Sequence, residues 1–300
     1  MTFRVLQGGL PCPRNSRLPT FGKKGTRMHG QDGVFQMNLN GTWIGLLGDG
    51  HGKDGHLVCS FVLHFVSQAV KKNINQIKYS GKEKEILDYI FKNLENKLQT
   101  KSYAQNSGTT LNVVIAFFNL ANQLVVISAN IGDSKTVVQQ NNVTEELSTE
   151  HNAGNPNEFI RYKQNGGVVD CIYKGSKLSV WQSDGSINEE SLVQIGRDYG
   201  TEHGIQKVTK GGLPINFCPV LKKQTGRKTA QSTRVLGNFE IKGEIGIDAE
   251  PSFSKKVFDI SHGPVHLLLT SDGLSDIIEP EVVFDEGRYI HPSQSSYLQQ

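Results

Sequence analysis

The 300 residues allow one large domain or two small ones. A hydrophobic fraction of 36% with 20% charged residues is ordinary for a soluble globular protein. The net charge of +3 is too small to indicate a nucleic-acid or membrane partner. Cys12, Cys59, Cys171 and Cys218 are scattered, with no C-x-x-C pair, which fits a reducing compartment and provides no zinc site.

Residues 1–25 carry Arg4, Arg14, Arg17, Lys23 and Lys24, three prolines and no acid, and read as a basic N-terminal arm. No apolar core of a secretory signal is present, and Thr2 after Met1 excludes myristoylation. Gly33 to Leu39 alternates loosely and ends at Asn40-Gly41, a strong two-residue hairpin turn, before the apolar run Thr42 to Leu47. With Leu39 facing Thr42, the hairpin register sets Asp32 directly across from Asp49. Like charges so opposed are destabilising, so something positive belongs between them.

Leu57, Phe61, Phe65 and Ala69 form one helical row and Val58, Val62, Val66 and Val70 a second, the wide apolar face of a helix buried on a sheet and a neighbour. Asp54 is its expected N-cap. A second helix runs from Glu83 to Leu98 on a narrower stripe. Residues 111–131 are apolar enough for a membrane span, but Asn112, Asn119, Asn122 and Gln123 interrupt them, and a hairpin turning near Asn119–Gln123 is expected instead. Residues 170–232 lose periodicity and gain glycine and polar residues, as a long surface insertion does; Lys222-Lys223 and Arg227-Lys228 read as part of a solvated loop. The run 291–300 is a polar tail.

Three apolar strands deliver an aspartate at their C-terminal end: Thr42–Leu47 into Gly48-Asp49-Gly50, Leu124–Ile131 into Gly132-Asp133-Ser134, and His266–Thr270 into Ser271-Asp272-Gly273, with Asp276 a short step on. No lysine or arginine adjoins Asp49 or Asp272 closely in sequence. Asp-Gly after one strand is usually only a turn. Three such ends, together with the Asp32–Asp49 opposition, point to carboxylates gathered for a hard divalent cation, magnesium or manganese. Gly50 to Gly55 also spells G-x-G-x-x-G, but two helices follow where a dinucleotide fold needs a second strand, and Asp49 would repel a pyrophosphate. A calcium loop over Asp49 to Ser60 fails at His51, Lys53 and Ser60.

Leu47-Gly48-Asp49-Gly50-His51-Gly52 resembles the D-G-H-G motif of the metal-dependent protein phosphatases, the protein phosphatase 2C family. Further stretches follow in the family's order. Ser107-Gly108-Thr109-Thr110 and Ala129 to Ser134 are similar to S-G-T-T and A-N-x-G-D-S-R. Arg234-Val235-Leu236-Gly237-Asn238-Phe239 is similar to R-A-L-G-D-F, and Ser271 to Asp276 to S-D-G-L-W-D. Glu150-His151 and Asn165 to Val168 echo weaker landmarks. The matches span about residues 27–283.

Composition and strand pattern alone support a mixed α/β or α+β class. The resemblance implies more: a four-layer α-β-β-α sandwich of two mostly antiparallel sheets flanked by helices, as a single domain over 26–290. It implies hydrolysis of phosphoserine and phosphothreonine in protein substrates by a monomer in the cytoplasm, with the nucleus left open, and no nucleic-acid or membrane partner. It assigns two magnesium or manganese ions to Asp49, the Gly50 carbonyl and Asp272, with Asp32 orienting the attacking water. Arg27 would hold the phosphate, His51 would protonate the leaving alkoxide, and Asp133 with Asp276 would hold a weaker third ion.

The chain departs from the pattern at Gln31 for glutamate, Lys135 for arginine and Ser275 for tryptophan. After Asp272 the family adds a helix, a D-N motif whose aspartate completes the metal site, and a last strand; none is recognisable in the 28 residues that follow. The alternative reading is accordingly a pseudophosphatase, keeping the fold as a binding or regulatory module, either degenerate or truncated.

Overall fold

The computed structural model describes residues 5–7, 30–173, 176–178, 220–222, 230, 232–275 and 280–289. Arg27, Asp276, most of the 170–232 stretch and the 291–300 tail lie outside the described residues. In chain order the strands are β1 (Val5–Gln7), β2 (Gly33–Leu39), β3 (Thr42–Gly48), β4 (Gly50–Gly52), β5 (Ser107–Thr109), β6 (Leu111–Phe118), β7 (Leu124–Ile131), β8 (Lys135–Gln140), β9 (Val143–Glu146), β10 (Val168–Tyr173), β11 (Ser176–Leu178), β12 (Val220–Lys222), β13 (Leu236–Gly237), β14 (Ser252–Phe258) and β15 (Val265–Thr270). The helices are α1 (Gly55–Tyr79), α2 (Glu83–Gln99), α3 (Pro156–Gln164), α4 (Phe239–Ile245), α5 (Asp272–Ser275) and α6 (Pro280–Tyr289).

The chain divides into two compact units where the sequence leads one to expect a single domain. The first comprises Met1–Thr149, Val235–Asn238 and Ala249–Gln300; the second comprises Glu150–Arg234 and Phe239–Asp248. The first unit holds a five-stranded sheet, order β14-β7-β6-β3-β2, and a four-stranded sheet, order β1-β15-β8-β9. Trp43, Leu47, Val114, Ala116 and Val126 from the one meet Val138, Leu267 and Leu269 from the other in a common core. The alternate residues point outward. Ile44, Leu46, Val113 and Ile115 are fully buried on the opposite face of the five-stranded sheet, where α1 packs with α2 beside it. Val137 and Leu268 meet Phe284 of α6 outside the other sheet. The result is the expected α-β-β-α layering, antiparallel except where β1 runs parallel to β15.

Strand β3 is buried along its whole length, as its unbroken apolar run requires. Asn40 and Gly41 sit at φ of 50° and 74°, the left-handed pair a two-residue turn needs. The pairing runs from Leu39↔Thr42 to Gly33↔Gly48, the register that opposes Asp32 to Asp49. The hairpin between β6 and β7 closes through Asn119 N to Gln123 O at 3.0 Å, and no helix among the described residues is long and apolar enough to cross a membrane.

Two expectations need correction. The valine row of α1 is buried, but Leu57 of the other row is 43% exposed, so that row lies along the helix flank. Asp54 does not cap α1 with its side chain; its backbone N–H donates to Ser107 Oγ at 2.9 Å instead. Within the basic arm, Val5–Gln7 forms an edge strand.

In the second unit, Asn155 caps α3 by accepting from Asn157 N at 3.0 Å, with Pro156 supplying a helix start that needs no donor. Strands β10, β11 and β12 form a three-stranded antiparallel sheet within and beside the stretch expected to be a loop.

Candidate functional site

The strand registers bring several chain segments to one end of the first unit's sandwich. Asp32 precedes β2 and Asp49 follows β3; Leu111↔Ile131 opens the β6–β7 pairing, and Lys135↔Thr270 ends the β8–β15 pairing. The Gly132–Ser134 turn and Asp272 therefore emerge at the same end as Asp32 and Asp49.

Asp32, Asp49 and Asp272 meet there. Asp49 shares hydrogen bonds with both Asp32 and Asp272, and Ser271 Oγ donates to Asp32 Oδ2 at 3.4 Å. Burial first, then the charges of Asp32 and Asp272, hold the Asp49 carboxyl far above the usual carboxylate range. Burial also raises Asp32, and Asp272 adds to it. Among the described residues, the charges that act most strongly on Asp49 are thus themselves negative. Asp133 is half-buried in its turn at the same end of the sandwich. Arg27 and Asp276 lie outside the described residues.

The backbone around Asp49 is fixed by the Ser107–Thr110 segment. Thr110 Oγ1 accepts from Asp49 N at 3.0 Å, Thr110 N donates to Asp49 O at 2.9 Å, and Thr109 Oγ1 donates to the same carbonyl at 3.0 Å. Thr110 Oγ1 also bonds Ser134 Oγ at 2.7 Å, tying the Asp133 turn to the Asp49 backbone. Gln31 donates from Nε2 to Gly52 O at 2.7 Å, an anchoring contact for the Gly50–Gly52 strand that a glutamate could not donate. A side chain at Gly50 would meet the Gln31 and Gly55 backbones at 2.6–2.7 Å, so this strand must lie close to both.

His51 is half-buried, and its Nε2 lies 2.6 Å from Asn238 Nδ2. Neither Asn238 nor the two threonines stands out in the sequence as a site residue. The S-G-T-T and R-V-L-G-N-F stretches hold them, but their partners are fixed only by the pairing of β4, β5 and β13.

The fold is shared with a serine/threonine phosphatase from Staphylococcus aureus, at 16% identity and a TM-score of 0.54, over 96% of this chain and 91% of that one. A C. elegans sex determining protein gives a TM-score of 0.59 at 16% identity, over 91% of this chain and 56% of that one. The class is therefore that of the α+β sandwich on which such a phosphatase is built. The family model for protein phosphatase 2C matches residues 48–182. Among curated relatives, "Probable protein phosphatase 2C 2" of Paramecium tetraurelia is 29% identical over 189 residues, 56% of this chain and 59% of that protein. "Protein phosphatase 2C 1" of the same organism is 32% identical over 132 residues, 40% of this chain and 42% of that protein. The chain thus spans about half the length of the curated relatives it matches.

Phosphatases of this family are metal-dependent, using magnesium or manganese. The donor set here suits such an ion: hard carboxylate oxygens that repel one another, on a backbone held by threonine hydroxyls. Among the described residues, no group of three His, Cys, Asp or Glu side chains is arranged to hold a metal ion.

Proposed function

We propose that this chain hydrolyses phosphoserine and phosphothreonine in proteins, as a monomer, with two magnesium or manganese ions held by Asp32, Asp49, Asp272 and the Gly50 carbonyl. When bound, ions of this kind lower the pKa of coordinated water toward neutrality and neutralise charge on the phosphoryl oxygens. The observation that supports this reading above the others is the closure of three half-buried aspartates on one another at one sheet end.

Each residue of the chain then has a defined task. Thr109 and Thr110 keep Asp49 from turning away, and Ser271 donates to Asp32 so that one of its oxygens stays directed. His51 protonates the seryl or threonyl alkoxide as it leaves, a step an imidazole suits near pH 7. Arg27 grips the phosphate with its planar fork. Asp133 and Asp276 take a weaker third ion.

Manganese-dependent hydrolysis of a phosphothreonine peptide, abolished by a chelator, is the expected result. Asp49→Ala should lower the rate by more than the roughly 10–100-fold that outer partners of a metal site are worth. Arg27→Ala should weaken phosphate binding and slow turnover while leaving manganese affinity unchanged. Manganese binding by the wild-type chain without any turnover would put a binding module in place of the enzyme. Unchanged metal affinity in Asp49→Ala would remove the assignment altogether.

A further inference from the structure

The row Leu57, Phe61 and Phe65 on α1 stands apart from the valine row that packs on the sheet. Leu57 is 43% exposed, and Phe61 and Phe65 are half-buried. The two phenyl rings stack at 6.3 Å between centres, and Lys101 Nζ lies 5.1 Å from the centre of the Phe61 ring. About two helical turns past Phe65 the same face carries exposed Lys72, with exposed Lys71 beside it. The 25 residues of α1 include no aspartate or glutamate.

This row begins at the aspartate end of the sandwich. Gly55 opens α1, and a Cβ on Gly50 would lie 2.7 Å from the Gly55 carbonyl oxygen. Leu57 thus stands within one helical turn of the residue packed against β4. Other large apolar side chains are exposed at the opposite end: Leu120 lies in the β6–β7 turn, and Val143 follows the β8–β9 turn. Single exposed apolar residues need no explanation, but a continuous apolar row leading away from a site marks a surface that something covers. Charge selects the occupant. The reaction proposed above requires a polypeptide that is anionic at its phosphate, and an acid-free helix with lysines on its outer face attracts such a chain.

We propose that the outer row of α1 is the docking surface for the phosphorylated protein substrate: a large apolar side chain near the phosphoresidue lies against Leu57 and Phe61, and acidic side chains further along meet Lys71 and Lys72. This inference rests on the phosphatase reading and names the kind of substrate. The helix climbs roughly 10 Å from Asp54 to Phe61, which an extended chain covers in about three residues. Lys71 and Lys72 lie roughly 16 Å further, or about five more residues.

Two measurements test it. The first follows manganese-dependent hydrolysis of phosphothreonine peptides. They carry leucine or alanine about three positions from the phosphothreonine, and paired glutamates or alanines about eight positions away, in each chain direction. In one direction, leucine should lower the wild-type KM about fivefold, as half-burying one such side chain allows. Leu57→Ser should remove that preference while hydrolysing para-nitrophenyl phosphate at the wild-type rate. The glutamates should lower KM by about threefold more, an effect that high salt removes. Lys71→Glu with Lys72→Glu should abolish this gain, and lysines in place of the peptide's glutamates should restore it. The second measurement is binding of the labelled leucine–glutamate phosphopeptide by fluorescence anisotropy, which Leu57→Ser should weaken about fivefold.

A KM indifferent to the leucine, or a preference that survives Leu57→Ser, overturns the proposal. So does an equal loss on peptide and on para-nitrophenyl phosphate, which would make Leu57 a structural residue. A wild-type dimer that Leu57→Ser dissociates would overturn it too, with a second copy as the occupant. If the wild-type chain hydrolyses neither substrate, the phosphatase reading falls. The docking row then stands only if the labelled phosphopeptide binds and Leu57→Ser weakens it, and otherwise falls as well.

Discussion

Asp49→Asn should make the metal-free protein melt higher and should remove most of the stabilisation that manganese gives the wild type. In the absence of a cation, folding places the Asp49 carboxyl in a half-buried position against Asp32 and Asp272. Its folded pKa is raised above the unfolded one. Stability from this group is therefore fully present below the unfolded value of 3.8 and is lost as pH rises. At neutral pH the fold must either bear the repulsion or take up a proton. Asparagine keeps the shape and has neither cost, so its advantage should widen from pH 4 to pH 7.

One pKa unit corresponds to about 1.4 kcal/mol, and 1 kcal/mol moves the midpoint of a domain of 150–250 residues by roughly 2–4 °C. Manganese at about 100 times its dissociation constant adds roughly 2.7 kcal/mol to a folded state that alone binds it, or at least several degrees. The variant should gain little, so the order of the two midpoints should reverse in metal. The titration should run to millimolar manganese. Identical midpoints for both proteins in both conditions would leave these aspartates as turn residues.

What could be read from the sequence divides by the range of the interaction. The Asp32–Asp49 opposition was legible because Asn40-Gly41 permits one tight turn, and a two-residue turn fixes register by counting. The buried strands were legible because a run such as Thr42–Gly48, apolar on both faces, fits between two packed layers. Contacts across long separations were not. Asp49 and Thr110 are 61 residues apart and His51 and Asn238 are 187 apart, and nothing local in either pair announces the other. Asn238 carries no local sign of its partner, which is set by the pairing of β13 with β5. Similarly, β10 to β12 are short and mixed in character, and the hydrogen bonds that define them lie between strands rather than in any side-chain period.

The second unit carries the other large prediction, and its centre is a buried carboxylate. Glu158 on α3 is 3% exposed and accepts from Arg234 Nη2 at 2.6 Å, Arg161 Nη2 at 2.8 Å and Thr233 Oγ1 at 2.5 Å. Arg161 also pairs with Asp248. The Glu158–Arg161 spacing is an ordinary helical i,i+3 pair, but Arg234 and Thr233 reach it from far along the chain. Burial alone would raise this carboxyl; the hydrogen bonds from Arg234, Arg161 and Thr233 outweigh it and bring it down to about 2. Beside it, fully buried His151 is pushed down to about 3, by burial first and then by the charge of Arg234. Both groups have folded pKa values below their unfolded ones, so both stabilise the fold at neutral pH and lose that contribution on acidification. For His151 the loss runs from pH 6.5 down to about 3, and for Glu158 from 4.5 down to about 2. Protection of the α3 amides, taken against the intrinsic exchange rate at each pH, should accordingly begin to fall just below pH 6.5 and fall more steeply below 4.5. Glu158→Ala removes the carboxylate that Arg161, Arg234 and Thr233 share, and breaking such a buried network costs about 3–5 kcal/mol. At neutral pH this variant should expose the α3 amides to exchange by at least a hundredfold more than wild type, about 2.8 kcal/mol at 1.4 kcal/mol per tenfold. Its acid dependence should keep the upper limb, which belongs to His151, and lose the lower one. An unchanged lower limb in Glu158→Ala would show that the acid sensitivity arises from other carboxylates, and that the network holds α3 in place without coupling it to pH.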